Sequence, residues 1–238
     1  EGIARYDGIQ LKYFTKTDGL PSNRVTSVIE DSNGIYWFST GEGLSKFDGH
    51  DFTNFIVKKD YWGSNVVNQL FIDSKGQFWI GTWGGVYKFD GKTFTPFPIP
   101  YPKVETSINK DTKDWIIEIN EDAEGNIWFA RDGYGACKFD GASFAFFLKK
   151  DGLHSNNVTE IEFDVEGNLF VAHFGGKAIY IFSPEGELLQ KIETPGSKPT
   201  NLEFADEDYK TLYLTEVETN SLYKIRTNYP GKNILNKK

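Results

Sequence analysis

Methionine is absent from the 238 residues, cysteine occurs once and histidine three times. A chain without methionine is not an intact translation product. It reads as a processed or trimmed chain, which favours a removed export signal. Periplasmic, surface or extracellular export all fit, as does a trimmed cytoplasmic protein. The single Cys137 permits no internal disulfide. With so few Cys and His residues there is no spacing for a zinc site. No apolar run reaches transmembrane length, so no membrane insertion is expected. No stretch keeps a 3.6-residue period, which excludes helices longer than a turn. A net charge of −8 argues against nucleic acid and anionic membrane surfaces, because phosphate binding needs a basic face.

What fills the chain is a repeated phrase. Clear copies begin at Val25, Val66, Trp115 and Val158, and a drifted one at Asn201. The acidic residue that opens the first turn falls at Asp31, Asp73, Asp122, Asp164 and Asp206, at intervals of 42, 49, 42 and 42 residues. The long interval contains the insertion PFPIPYPKVETSINKDTKD. A fixed period of this length means stacked units.

Each copy reads as four short strands. An apolar run ends in Asp and a D-x-x-G turn follows, in which Gly supplies positive φ and Asp bonds the local backbone. A second run is rich in β-branched and aromatic residues: YWFST, FWIGT, IWFAR, LFVAH, LYLTE. A Gly-containing loop leads to a third strand ending in FDG, and a fourth strand leaves it. The expected fold is all-β, a β-propeller of four-stranded blades. One domain spans 1–238, with a half blade at 1–22, blades at 23–64, 65–113, 114–155, 156–197 and 198–231, and a tail at 232–238. The opening EGIARYDGIQLKYF matches the third and fourth strands of EGLSKFDGHDFTNF. Five repeats plus this half blade are compatible with a five- or six-bladed ring. The aromatics at the centre of strand two, Trp37, Trp79, Trp128, Phe170 and Tyr213, read as blade-to-blade packing.

Chemistry-bearing residues are sparse. No nucleophile elbow G-x-S-x-G occurs, and the Gly-rich GTWGG and HFGGK precede strands, unlike phosphate loops. The face built from between-blade loops and strand-two to strand-three loops carries Tyr61, Trp62, Trp83, Tyr101, Arg131, Tyr134, His154, His173 and Phe174. Trp62, Trp83, Arg131, Tyr134 and His173 are expected to converge at a channel mouth, beside an extended Pro96–Pro102 lid. Aromatic rings beside Asn, Arg and His suit sugars or other small polar ligands. The structural alternative is that the rings pack between loops and that the Ser-Asn pairs at 22–23, 64–65 and 155–156 form turns.

Two family resemblances follow from these phrases. Residues 2–150, through EGIARYDG, DGLPSNRVTSVIEDSNGIYWFSTGEGLSKFDG and EDAEGNIWFARDGYGACKFDG, resemble two-component regulator propeller repeats. Residues 157–231, through DVEGNLFVAHFGGKAIYIFSPEGELL and PTNLEFADEDYKTLYLTEVETNSLYKIRTNYPG, resemble the senescence marker protein/gluconolactonase/luciferin-regenerating group. The first resemblance implies a non-catalytic sensor or interaction module, often periplasmic. The second implies a lactone or ester hydrolase with a divalent metal held in the central channel by a Glu, Asn residues and an Asp. The ligand position lies five residues before the turn Asp, and here it reads Thr26, Asn68, Ile117, Thr159 and Asn201. These five are expected to line the channel. The family Asp falls on Thr159, so Asn68 and Asn201 are the remaining metal candidates, and a hard cation wants several anionic oxygens. Strand alternation is expected to turn Glu118 and Glu160 to the other side. The leading expectation is therefore a non-catalytic module that binds a small polar ligand or a protein, without a cofactor. The alternative is a lactonase or esterase using calcium or another divalent cation.

Overall fold

The computed structural model describes residues 2–57, 65–104 and 113–232. It is all-β and a β-propeller in fold, and among the described residues helix is confined to two one-turn 3-10 segments, Lys16–Asp18 and Lys149–Asp151. By Cα packing the chain divides into two compact units, residues 1–99 with 114–116, and 100–113 with 117–238.

In the first unit, β1 (Ile3–Tyr6) pairs with β2 (Leu11–Phe14) as a two-stranded sheet. The first full blade is β3 (Val25–Glu30), β4 (Tyr36–Thr40), β5 (Gly43–Phe47) and β6 (Phe52–Phe55). The second is β7 (Val67–Ile72), β8 (Phe78–Thr82), β9 (Gly85–Phe89) and β10 (Phe94–Phe97). Both are antiparallel meanders.

The third blade is β11 (Ile116–Glu121), β12 (Ile127–Arg131), β13 (Gly135–Phe139) and β14 (Phe144–Phe147). The fourth is β15 (Val158–Phe163), β16 (Leu169–His173), β17 (Ala178–Phe182) and β18 (Leu188–Glu193). The last sheet has three strands, β19 (Pro199–Ala205), β20 (Thr211–Glu216) and β21 (Ser221–Arg226). After β21 the chain runs back to the third and fourth blades, where Gly231 bridges Asp164 of the fourth and Lys232 Nζ donates to the carbonyls of Glu121 and Asp122 of the third.

The repeated aspartate explains the repeated tryptophan. Asp31 Oδ1 accepts the backbone N–H groups of Asn33 and Ile35 and closes the turn. Its Oδ2 accepts Trp37 Nε1 at 2.8 Å. Asp73–Trp79 and Asp122–Trp128 repeat this bond, each at 2.8 Å. Phe170 has no N–H, and there Asn168 Nδ2 donates to Asp164 Oδ2 at 2.6 Å instead. The fifth repeat substitutes a phenol, with Tyr213 Oη donating to Asp206 at 3.1 Å. A buried indole N–H needs such a partner, so one acid satisfies both the turn and the ring. The ring then packs between blades. Trp37 lies among Leu44, Val67, Leu70, Ile80 and Phe89, and Trp128 among Val158, Ile161, Phe163 and Leu169. A strand-three lysine caps the ring from solvent: Lys46 over Trp37 at 5.7 Å, Lys88 over Trp79 at 4.6 Å, Lys138 over Trp128 at 5.6 Å.

In three repeats the glycine that opens strand three has a steric reason. A Cβ on Gly2, Gly43 or Gly135 would run into the carbonyl oxygen of Phe14, Phe55 or Phe147 on the neighbouring strand. Each of these glycines also has positive φ, at 95°, 118° and 71°.

Candidate functional site

The first strands carry a bulge near their start. The register shifts at Val25/Ser27, Val67/Gln69, Val158/Glu160 and Pro199/Asn201, which sets Thr26, Asn68, Thr159 and Thr200 out of the ladder. In the fifth repeat the bulge falls on Thr200, one residue before Asn201, because β19 has seven residues where β15 has six. The bulged side chains are used for bridging. Thr26 Oγ1 donates to the carbonyl of Val67, Asn68 Nδ2 to that of Ile116, and Thr159 Oγ1 to that of Pro199. Each ties its first strand to the first strand of the next repeat. Asn201 is exposed and its amide oxygen lies 3.5 Å from Thr215 Oγ1. Ile117 packs against the cluster around Trp128 and Val158.

Carboxylates gather further along the first strands. Glu160 interacts with Glu118, Glu162 and Glu203. Burial and these like charges hold Glu160 and Glu162 well above the ordinary carboxylate range. Strand alternation counted from Thr159 does not reveal this group, because the members come from three repeats and the bulge resets the phase. Alternating glutamates at 160 and 162, with Glu118 and Glu203 in neighbouring first strands, were the available signal.

At the opposite end of strand two lies the loop end of each blade. Its closing residue is Thr40, Thr82, Arg131, His173 and Glu216 in turn, all buried, the same in the first two blades and different in each later one. Thr40 and Thr82 tie off their own loops, accepting the N–H of Glu42 and Gly84 and donating to the carbonyls of Gly43 and Gly85. Glu216 accepts the N–H groups of Lys198, Glu218 and Thr219. Burial would raise its carboxyl, but the bond from the Thr219 hydroxyl and those backbone bonds outweigh it and bring the group down to about 2.

Arg131 and His173 do something else. Arg131 donates from Nη1 to the carbonyl of Pro100 at 3.1 Å and from Nη2 to that of Lys113 at 3.2 Å, clamping both ends of the insertion. Its guanidinium lies 5.0 Å from the Tyr101 ring and 4.9 Å from the Tyr134 ring. His173 is fully buried, and neither ring nitrogen has a hydrogen-bond partner among the described residues. Its imidazole lies 5.1 Å from Tyr180, and exposed His154 approaches the same tyrosine at 6.3 Å. Burial, with His154 close by, pushes His173 down to about 4. Phe174 is exposed, with Lys198 Nζ 5.4 Å from its ring.

Trp83, in the strand-two to strand-three loop of the second blade, is half-buried and stacks on Trp115 at 4.7 Å. The Arg24 guanidinium sits 5.3 Å from its ring. The indole Nε1 of Trp115 is buried without a hydrogen-bond partner among the described residues. The structure thus brings together Arg131 with Tyr134, and His154 with His173. Trp62 and Tyr61 lie outside the described residues. Asn23 and Asn156 act as turn formers, accepting the N–H of Lys16 and Lys149 at 2.7 Å, while Asn65 Oδ1 is buried without a partner among the described residues.

The donors do not suit a family-type metal. The bulge positions present hydroxyls and amides already committed to backbone carbonyls. Among the described residues no group of three or more His, Cys, Asp or Glu side chains is arranged to hold a metal ion. The four glutamates do not converge on one coordination point. No helix among the described residues is long and apolar enough to cross a membrane.

Fold and loop ends together define a β-propeller whose blades are constant at one end and individual at the other. Residues 161–218 match the SMP-30/gluconolactonase/LRE-like region, and residues 19–42 and 61–84 match the two component regulator propeller. The chain is 35% identical over 82 residues to diisopropyl-fluorophosphatase of Loligo vulgaris, covering 34% of this chain and 26% of that protein. It is 41% identical over 49 residues to histidine kinase P4 of Formosa agariphila, covering 21% of this chain and 4% of the kinase. The chain therefore spans about a quarter or less of the length of these relatives. The extracellular domain of a putative hybrid two component system from B. thetaiotaomicron superposes with a TM-score of 0.69 at 21% identity, over 87% of this chain and 30% of that one. At that identity the likeness establishes the fold alone.

Proposed function

We propose that the protein is an exported, non-catalytic binding propeller of the sensor type, and that its loop ends take a small polar ligand, carbohydrate first. The observation that carries this reading is where unmet hydrogen-bonding groups lie. Among the described residues Asn65 Oδ1, Trp115 Nε1 and both nitrogens of His173 are buried without partners, and each sits at the loop end of its blade. Buried polar atoms are nearly always satisfied, so unsatisfied ones concentrated at one kind of position mark a place for a ligand. Rings stand beside two of them: Trp83 at Trp115 and Tyr180 at His173. Rings for stacking and a few fixed donors and acceptors are what a sugar requires. The extracellular sensor domains among the solved neighbours support the exported, sensing role.

Calorimetric titration with a panel of neutral and acidic oligosaccharides tests the proposal. Saturable binding is expected, and Trp83→Ala should abolish it with a modest shift in melting temperature. Truncating a fully buried Trp costs about 3–5 kcal/mol. A large melting-temperature loss in Trp83→Ala with affinity unchanged would make the Trp83–Trp115 stack a packing element.

The hydrolase reading is favoured by the match over residues 161–218. It stands behind because the metal donors that reading needs do not fit the residues present.

A further inference from the structure

Two groups that can only donate hydrogen bonds flank the ring of Trp83. The indole of Trp115 stacks on it at 4.7 Å, and the Arg24 guanidinium lies 5.3 Å from its centre. Neither an indole N–H nor a guanidinium carries an acceptor of its own. Nε1 of Trp115 is buried without a partner among the described residues. Arg24 is exposed, and no salt bridge among the described residues joins it to a carboxylate. The same unit holds one acceptor in a like state, the buried Asn65 Oδ1.

The Arg24 side chain is held in place. Its backbone N–H donates to Ser22 Oγ at 3.1 Å, and its carbonyl accepts the N–H of Gly41 at 2.9 Å. Its stem lies on Gly41, where a Cβ would meet Ser22 Oγ at 3.3 Å and Arg24 Cβ and Cδ at 3.5 Å. Gly41 follows Thr40 as Trp83 follows Thr82, so the first blade leaves room for the arginine where the second blade carries the ring. The lysines over Trp37, Trp79 and Trp128 are placed differently. Each comes from the same blade as its ring and covers an indole no more than 4% exposed. Lys138 also pairs with Asp122 and Glu124. Arg24 instead comes from the segment leading into β3, and the ring it meets belongs to the next blade and is half-buried. Lys198, over Phe174 at 5.4 Å, has the Glu218 carboxylate close by. Arg24 is therefore a preorganised cation at the loop end whose charge no salt bridge balances.

We infer that the ligand of this loop end is an acidic saccharide, one bearing a carboxylate or sulfate group, and that Arg24 binds that group. The inference rests on the carbohydrate-binding reading above and narrows it. A planar guanidinium takes two oxygens of such an anion side by side. A sugar acid supplies both kinds of missing partner, anionic oxygens for the donors and hydroxyls for Asn65. One guanidinium suffices for one acidic group, whereas a polyanion such as nucleic acid needs a basic face that a chain of net charge −8 does not offer.

The test screens the full chain against an array of neutral, uronate-bearing and sulfated oligosaccharides and follows a bound member by calorimetry. Binding confined to acidic members is expected, and the uronate and sulfate arms tell which anion Arg24 takes. Reducing the bound member's carboxylates to alcohols, or removing its sulfate, should weaken binding about thirtyfold, and Arg24→Ala should do the same. Arg24→Lys keeps the charge without the fork and should recover part of the affinity. Arg24 is exposed, so the melting temperatures of both variants should stay close to wild type. Preferential binding of neutral oligosaccharides, or acidic binding that Arg24→Ala leaves intact, would overturn the inference and leave the carbohydrate-binding reading standing. An array with no bound member would overturn both.

Discussion

The two ends of the second strands follow opposite rules. At the turn end, Asp31, Asp73 and Asp122 bond Trp37, Trp79 and Trp128 in one geometry, and Asp164 and Asp206 keep the acid while its partner changes to Asn168 and Tyr213. At the loop end, five repeats close with Thr40, Thr82, Arg131, His173 and Glu216, and no two neighbouring blades after the second share a solution. The difference separates folding from recognition. A turn that every blade needs is satisfied from within that blade. The loop end is left to individual side chains, and there the unsatisfied buried groups of Asn65, Trp115 and His173 accumulate.

The comparison breaks first at a turn end. Trp128 is buried among Val158, Ile161, Phe163 and Leu169 and bonded to Asp122. Trp128→Ala should cost about 3–5 kcal/mol in urea unfolding. A loss as small as that of a surface substitution would remove the turn-end ring from the account of stability.

A somewhat smaller effect is expected from pH at the loop end. His173 ionises near 6.5 when unfolded and is pushed down to about 4 by burial in the fold. The fold favours the neutral ring, so its contribution is present above pH 6.5 and is lost as pH falls through about 4. The loss is on the order of 3 kcal/mol. His173→Leu should flatten that acid limb. An unchanged limb in His173→Leu would assign the acid sensitivity to another group. Glu160 and Glu162 act in the opposite sense. Held high by burial and like charge, they favour the folded state when protonated, and that contribution is lost as pH rises above the ordinary carboxylate range.

What was legible in the sequence follows the same division. The period, the turns and the strand-two aromatics could be read because each blade repeats a local hydrogen-bond solution within about seven residues. The fourth blade shows the limit: Phe170 broke the Trp pattern, yet Asp164 remained because Asn168 replaced the indole donor. Counting from Asp206 points to Asn201, but the longer β19 moves the bulge to Thr200. The contact of Glu118 with Glu160 joins two repeats at a bulge, which alternation along one strand cannot reveal. Arg131 could be named as a loop-face residue, but its clamp on Pro100 and Lys113 could not, since the insertion has no counterpart in other repeats.

The most direct measurement uses the indole N–H signals of the six tryptophans in a nitrogen-15 correlation spectrum. Titration with the oligosaccharide that gives saturable calorimetry should shift the Trp83 and Trp115 indoles. The aspartate-bonded indoles of Trp37, Trp79 and Trp128 should stay in place. Shifts confined to Trp37, Trp79 and Trp128, with Trp83 and Trp115 unmoved, would contradict the division of labour between the two ends of the blades.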